Sequence, residues 1–169
     1  MKLRSLFVTI LTLALATPLW CAAPTAPAAP TAPTAFGTLT SLAGDWEMQA
    51  TGMKTQTINL KMISGGSVLM ETMANDNMVT MYHLDKDHVM LTHYCSAQNQ
   101  PRLQAKISDD GKTYTFDFLD ATNLTGPNAG HMHKMVLTIL DKDHFTEEWV
   151  YNQNGKDDAP TVFHMTRKK

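Results

Sequence analysis

Cysteine is scarce in this chain, with two among 169 residues. Cys21 falls in an N-terminal stretch with the form of an export signal, which leaves Cys95 alone in the remainder and excludes an internal disulfide despite an oxidising destination. Charge is scarce as well. Asp, Glu, Lys and Arg make up 18% of the residues and the net charge is −2. Basic residues are scattered apart from the terminal Arg167-Lys168-Lys169, so the reading is no nucleic-acid binding. Long apolar runs are missing: Leu6 to Ala16 is too short to span a bilayer as a helix, and no other stretch is long and apolar enough, so no membrane span is expected. Also missing are a Gly-flanked nucleophile motif, a phosphate loop and a His-Glu-x-x-His helix. These absences favour a binding protein over an enzyme.

At the N-terminus, Met1 to about Ala22 reads as a secretory signal, with Lys2 and Arg4 ahead of the apolar run. A periplasmic or secreted destination follows. Ala26-Pro27-Ala28 fits a small-x-small cleavage pattern, and Cys21-Ala22-Ala23 offers small residues before Pro24. A lipid anchor on Cys21 is the rival reading, but Trp20 stands where a lipoprotein signal carries a small residue. Residues 23–35 repeat Ala, Pro and Thr, a composition expected to be an extended, solvated spacer. The folded domain is then expected over 36–169, long enough to bury a core without staples.

From residue 45 on, apolar and polar residues alternate with period two, and turn signals recur every eight to twelve residues or so, which reads as all-β with about ten strands. Sequential hairpins and the need to hide sheet edges point to a single antiparallel up-and-down β-barrel. Asp110-Gly111 is a hairpin signal; centring it pairs Ile107 with Tyr114, Ala105 with Phe116 and Leu103 with Phe118, with one face apolar and the other polar. An internal repeat, Leu84-Asp85-Lys86-Asp87-His88 and Leu140-Asp141-Lys142-Asp143-His144, marks two further turns. A three-residue turn in each keeps the apolar set on one face. It pairs Ile139 with Phe145, Leu137 with Glu147 and Met135 with Trp149, and likewise Met81 with Leu91 and Val79 with His93. The Asp-Lys-Asp-His turns lack the later ligands of a calcium loop. His88 and His144 flank them and are expected to be exposed.

In an up-and-down barrel alternate connections share an end. The two repeat turns, Asp110-Gly111 and Gly65-Gly66 close one end, and the longer connections after Cys95, Phe118 and Tyr151 form a mouth at the other. In these registers His93, Cys95, His131 and His133 all point inward at the mouth, with Tyr151 opposite His133, while His83 points inward near the closed end. Three readings compete. The residues are hydrogen-bonded packing; or they orient a small organic ligand against walls that include Phe116, Phe118, Leu103, Leu137 and Trp149; or they hold a metal or haem. The first two need no cofactor. The third brings zinc, copper or haem, because His131-x-His133 sends two imidazoles to one face and a Cys95 thiolate would favour zinc or Cu(I). Cys95 with His93 or His131 is also the one nucleophile–base pair on offer. The ligand-binding set is therefore His93, Cys95, His131, His133, Tyr151 and Phe118. The many methionines, spread over most strands, read as adaptable core filler. Glu147 is expected inward, as a buried carboxylate or as the partner of a base such as Arg102, or else its face is misassigned.

Leu42-Ala43-Gly44-Asp45-Trp46-Glu47, opening the first strand, resembles the Gly-x-Trp start of lipocalin-like (calycin) barrels, and the rhythm of the remainder is similar to small secreted bacterial lipocalin-like domains of uncharacterised function. That resemblance implies a barrel with Trp46 packed at one end and an internal cavity for an apolar or amphipathic ligand. Haem-binding nitrobindins share the Gly-x-Trp opening and take their haem ligand from a histidine late in the chain. Here the late histidine, His164, alternates with Phe163 and Met165 and is expected to face outward, a departure from that pattern.

Overall fold

A computed structural model describes residues 28–73 and 78–169. The expected signal at 1–22, the anchor candidate Cys21 and the start of the spacer lie outside the described residues. Among the described residues one short α-helix precedes eleven strands. The helix α1 is Ala32–Thr40, and the strands are β1 Gly44–Gln49, β2 Gln56–Ile63, β3 Val68–Met73, β4 Met78–Asp85, β5 His88–Tyr94, β6 Gln100–Ile107, β7 Thr113–Thr122, β8 His131–Ile139, β9 His144–Gln153, β10 Lys156–Asp157 and β11 Thr161–Arg167. Ten of them pair antiparallel in sequence order, and β9 joins β8 on one side and β11 on the other; β11 returns to β1, which closes an up-and-down barrel. The two-residue β10 hydrogen-bonds to the end of β9. No helix among the described residues is long and apolar enough to cross a membrane.

The two hairpins flanking β7 and β9 adopt the expected registers. Ile107, Ala105 and Leu103 face Tyr114, Phe116 and Phe118. Ile139, Leu137 and Met135 face Phe145, Glu147 and Trp149. The first copy of the repeat behaves differently. Asp85 pairs with His88 and Tyr82 with Leu91, so the turn has two residues, not three, and Thr80 rather than Val79 faces His93. Lys86 takes a left-handed φ of 54° in that turn. The same pentapeptide makes two turns because burial of its flanks sets the register. Leu84 and Val89 belong inside the first hairpin, whereas Leu140 is left exposed in the second. The correction turns His83 off the inward face; it is half-buried and its Nδ1 donates to the Leu84 carbonyl at 3.1 Å. His88, His144 and His164 are exposed, as expected.

The tight turns close one end of the barrel, and α1 lies against β4 and β5. Ala32, Ala35, Phe36 and Leu39, spaced i, i+3, i+4, i+7, form its buried face. The last residues of the expected spacer, 32–35, are therefore helical and in part buried. Proline in the first turn costs no hydrogen bond, because that N–H has no helical acceptor. Tyr114 donates its hydroxyl to the Ala35 carbonyl at 2.9 Å.

Trp46 is fully buried at this end, as the resemblance implied. Its Nε1 donates to Leu42 O at 2.8 Å and its ring meets Phe145 edge-on at 4.6 Å. Arg167, first of the terminal basic run, lies over the Trp46 ring at 4.1 Å and donates to the carbonyls of Ser41, Ala43 and Lys142. This one guanidinium ties the end of β11 to the segment that enters β1. Gly44 makes room for it. Its φ is +141°, and a Cβ there would stand 2.7 Å from Arg167 Nη1, which its carbonyl bonds hold in place. Gly44→Ala is expected to cost about 1–3 kcal/mol in urea unfolding, and an unchanged midpoint would show that the clamp can yield.

Candidate functional site

At the opposite end lies an apolar cavity of about 90 Å³, lined by Met48, Met53, Met73, Met78, His93, Met132, Trp149 and Phe163. Seven strands and one connection contribute. Met48 is on β1, Met73 ends β3, Met78 opens β4, His93 is near the end of β5, Met132 is on β8, Trp149 on β9 and Phe163 on β11. Met53, in the β1–β2 connection, is 44% exposed and stands at the rim. A second, more polar hollow of about 240 Å³ shares Met132, Trp149 and Phe163 and adds Tyr151, Asp158, Ala159 and Thr161.

Among the described residues His93 is the one titratable group lining the apolar cavity. It is 3% exposed, and its ring packs 4.9 Å from that of Trp149. Its Nδ1 meets Thr80 Oγ1 at 3.0 Å, while Nε2 is buried with no hydrogen-bond partner. Burial pulls its pKa down to about 4, so the ring is neutral at pH 7. A buried imidazole nitrogen without a partner is costly, and a polar site built for a ligand is one place where such a cost is kept.

The four-residue constellation expected at the mouth does not assemble. A bulge at His133 shifts the β8 register, so that Met132 pairs with Tyr151 and lines the cavity. One extra residue reverses which side chains face in. His131 and His133 are half-buried and gather around Phe118, with ring separations of 4.6 and 5.4 Å. His133 Nδ1 also bonds Asp157 Oδ1 at 2.8 Å, and His131 Nδ1 donates to Ala129 O at 2.9 Å. Cys95 lies past the end of β5, half-buried, in a turn closed by its own N–H to Asn99 O. Tyr151 faces Met132 rather than His133 and lines the second hollow. Among the described residues no three His, Cys, Asp or Glu side chains converge as metal ligands. The zinc-type set His93, Cys95, His131 and His133 is thus corrected to one buried histidine and a separate aromatic–imidazole cluster.

Glu147 does face inward, fully buried, but Arg102 pairs with Asp120 instead. One partner is on its own strand and one comes from across the barrel. Trp149 Nε1 donates to Glu147 Oε2 at 2.9 Å, and Tyr82 Oη lies 3.1 Å from Glu147 Oε1 and 2.9 Å from Glu71 Oε2. Tyr82 has one proton for two carboxyl contacts, so one contact needs a carboxyl proton. Burial, and then the charge of Glu147, push the Glu71 pKa well above its ordinary value. Glu71 is therefore the carboxyl that favours the neutral form, and Tyr82 donates to Glu147. Burial raises Glu147 too, while the bonds from Trp149, Tyr82 and Glu71 pull it back. The unpartnered Glu71 Oε1 fits the carbonyl oxygen of a neutral acid. Nothing in the local pattern of β3 marks Glu71, because its partner arrives from β9 through barrel closure.

The mouth loops are tied to one another. Asn99, 3% exposed, donates Nδ2 to Gly130 O at 2.8 Å, which joins the β5–β6 turn to the start of β8. Asn123 donates to Gln98 O across the same gap.

No family model matches the sequence, and no curated protein matches it. A solved structure titled as a redesigned β-barrel superposes over 76% of this chain and 93% of its own, with a TM-score of 0.33 and 10% identity. It is a designed barrel, and at that score the likeness carries no functional argument.

Proposed function

We propose that this protein is an exported small-ligand-binding barrel whose site is the methionine-lined cavity at the mouth. The observation that carries the reading is an apolar cavity whose lining includes His93, with its Nε2 buried and unpartnered among the described residues. A single polar group in an apolar wall orients a ligand without demanding a charged one. At about 90 Å³ the cavity suits a ligand of benzene size or smaller, and unbranched methionines can swing aside for a larger one. The Gly44-Asp45-Trp46 likeness to lipocalin-like barrels and the signal-like N-terminus support the same reading. The histidine–cysteine cluster is not needed for it.

The test is an NMR titration with benzene and phenol on protein carrying ¹³C-labelled methionine methyls. The methyl signals of Met48, Met73 and Met132 are expected to shift together and saturate, with phenol held more tightly through His93. Met132→Trp, which fills the space, should abolish the shifts. Methyl signals unmoved by either compound would sink the proposal.

A further inference from the structure

We propose that the cavity is a site for a soft monovalent metal ion, Cu(I) or its analogue Ag(I), held by the thioethers of Met48, Met73 and Met132 and by His93 Nε2. This deepens the ligand-binding reading and rests on it. Five of the eight lining side chains are methionines, delivered by β1, the β1–β2 connection, β3, β4 and β8. Filler alone explains methionine anywhere in a core. It does not explain their convergence on one space together with an imidazole nitrogen that has no partner.

The chemistry of the set is selective. Thioether sulfur is neutral and soft, and it favours Cu(I) over the harder divalent ions. Zinc would want thiolate, carboxylate or several imidazoles, and among the described residues no such group accompanies His93 in the cavity lining. Thr80 completes the histidine. With Nδ1–H donating to Thr80 Oγ1, the Nε2 lone pair is left free to bind, the outer-shell arrangement that orients a metal-bound imidazole.

The experiment is competition for Cu(I), kept reduced, against a chromophoric chelator, followed by ¹³C-methionine NMR. Every protein carries Cys95→Ser, since that half-buried thiol would bind Cu(I) by itself. One Cu(I) per chain is expected, with shifts at Met48, Met73 and Met132. Met48→Leu and Met73→Leu conserve volume and should fold; together they are expected to weaken Cu(I) by about 100-fold, and Thr80→Val by about 10-fold. Zn(II) at the same concentration should not compete. Cu(I) binding undiminished in the Leu variants, or displaced by Zn(II), would overturn the metal site. If benzene moves the methionine methyls and Cu(I) does not, the cavity reading stands and this inference falls; if neither moves them, both fall.

Discussion

As pH rises from the unfolded glutamate value toward the raised pKa of Glu71 the protein will lose stability, and Glu71→Gln will remove that loss. In an unfolded chain a glutamate gives up its proton near 4.3. In the barrel, burial and the neighbouring Glu147 keep the Glu71 proton on at higher pH. The native state then holds a proton that the unfolded state has released, so stability falls as pH rises, by about 1.4 kcal/mol per pH unit while the proton is kept. His93 works in the opposite sense. Its folded pKa of about 4 lies below the unfolded value, so its contribution is complete above about 6.5 and is lost as pH falls through 4, about 3 kcal/mol in all. Between about 4.3 and 6.5 the two slopes oppose each other. Above that window only the carboxyl pair remains. Glutamine at 71 donates from its amide where the acid donated its proton, and it has nothing to ionise. Urea unfolding from pH 5 to 9 should show a falling midpoint for the wild type and a flat, higher one for Glu71→Gln on the alkaline side. His93→Gln should flatten the acid limb alone. A wild-type midpoint that runs parallel to that of Glu71→Gln at every pH from 5 to 9 would mean that the pair holds no proton there.

Trp46→Ala will be the most destabilising single change at the closed end, by about 3–5 kcal/mol. Trp46 is fully buried, and its removal deletes the Phe145 contact, the bond to Leu42 O and the surface under Arg167. Arg167→Met should cost less, since it keeps the aliphatic cover but drops three carbonyl bonds. The two changes share one contact and should not add. A double-mutant cycle is expected to give a coupling of about 0.5–2 kcal/mol for the cation over the ring. Strict additivity would show that Arg167 acts through its carbonyl bonds alone.

Period-two alternation and turn chemistry determined, from the sequence alone, the all-β class, the barrel, which connections share an end, and two hairpin registers to the residue. These are local properties: a strand with one buried face cannot slip without exposing it, and Asp110-Gly111 declares its own turn. The helix over 32–40 was also legible, in the spacing of Ala32, Ala35, Phe36 and Leu39, but the Ala/Pro/Thr composition masked it. Tertiary structure decided the rest. The repeated Leu-Asp-Lys-Asp-His segment carries no information about turn length; the packing of Leu84 and the exposure of Leu140 select it. His131 and His133 alternate correctly for an inward pair until one bulged residue on β8 puts Met132 inside instead. Glu71 and Glu147 are far apart in the chain, and each reads as an ordinary strand carboxylate until closure sets them on either side of Tyr82. The same closure gathers methionines from separate strands around His93. Alternation tells which side of a sheet a residue faces, but only the curvature that closes the sheet decides which inward residues meet.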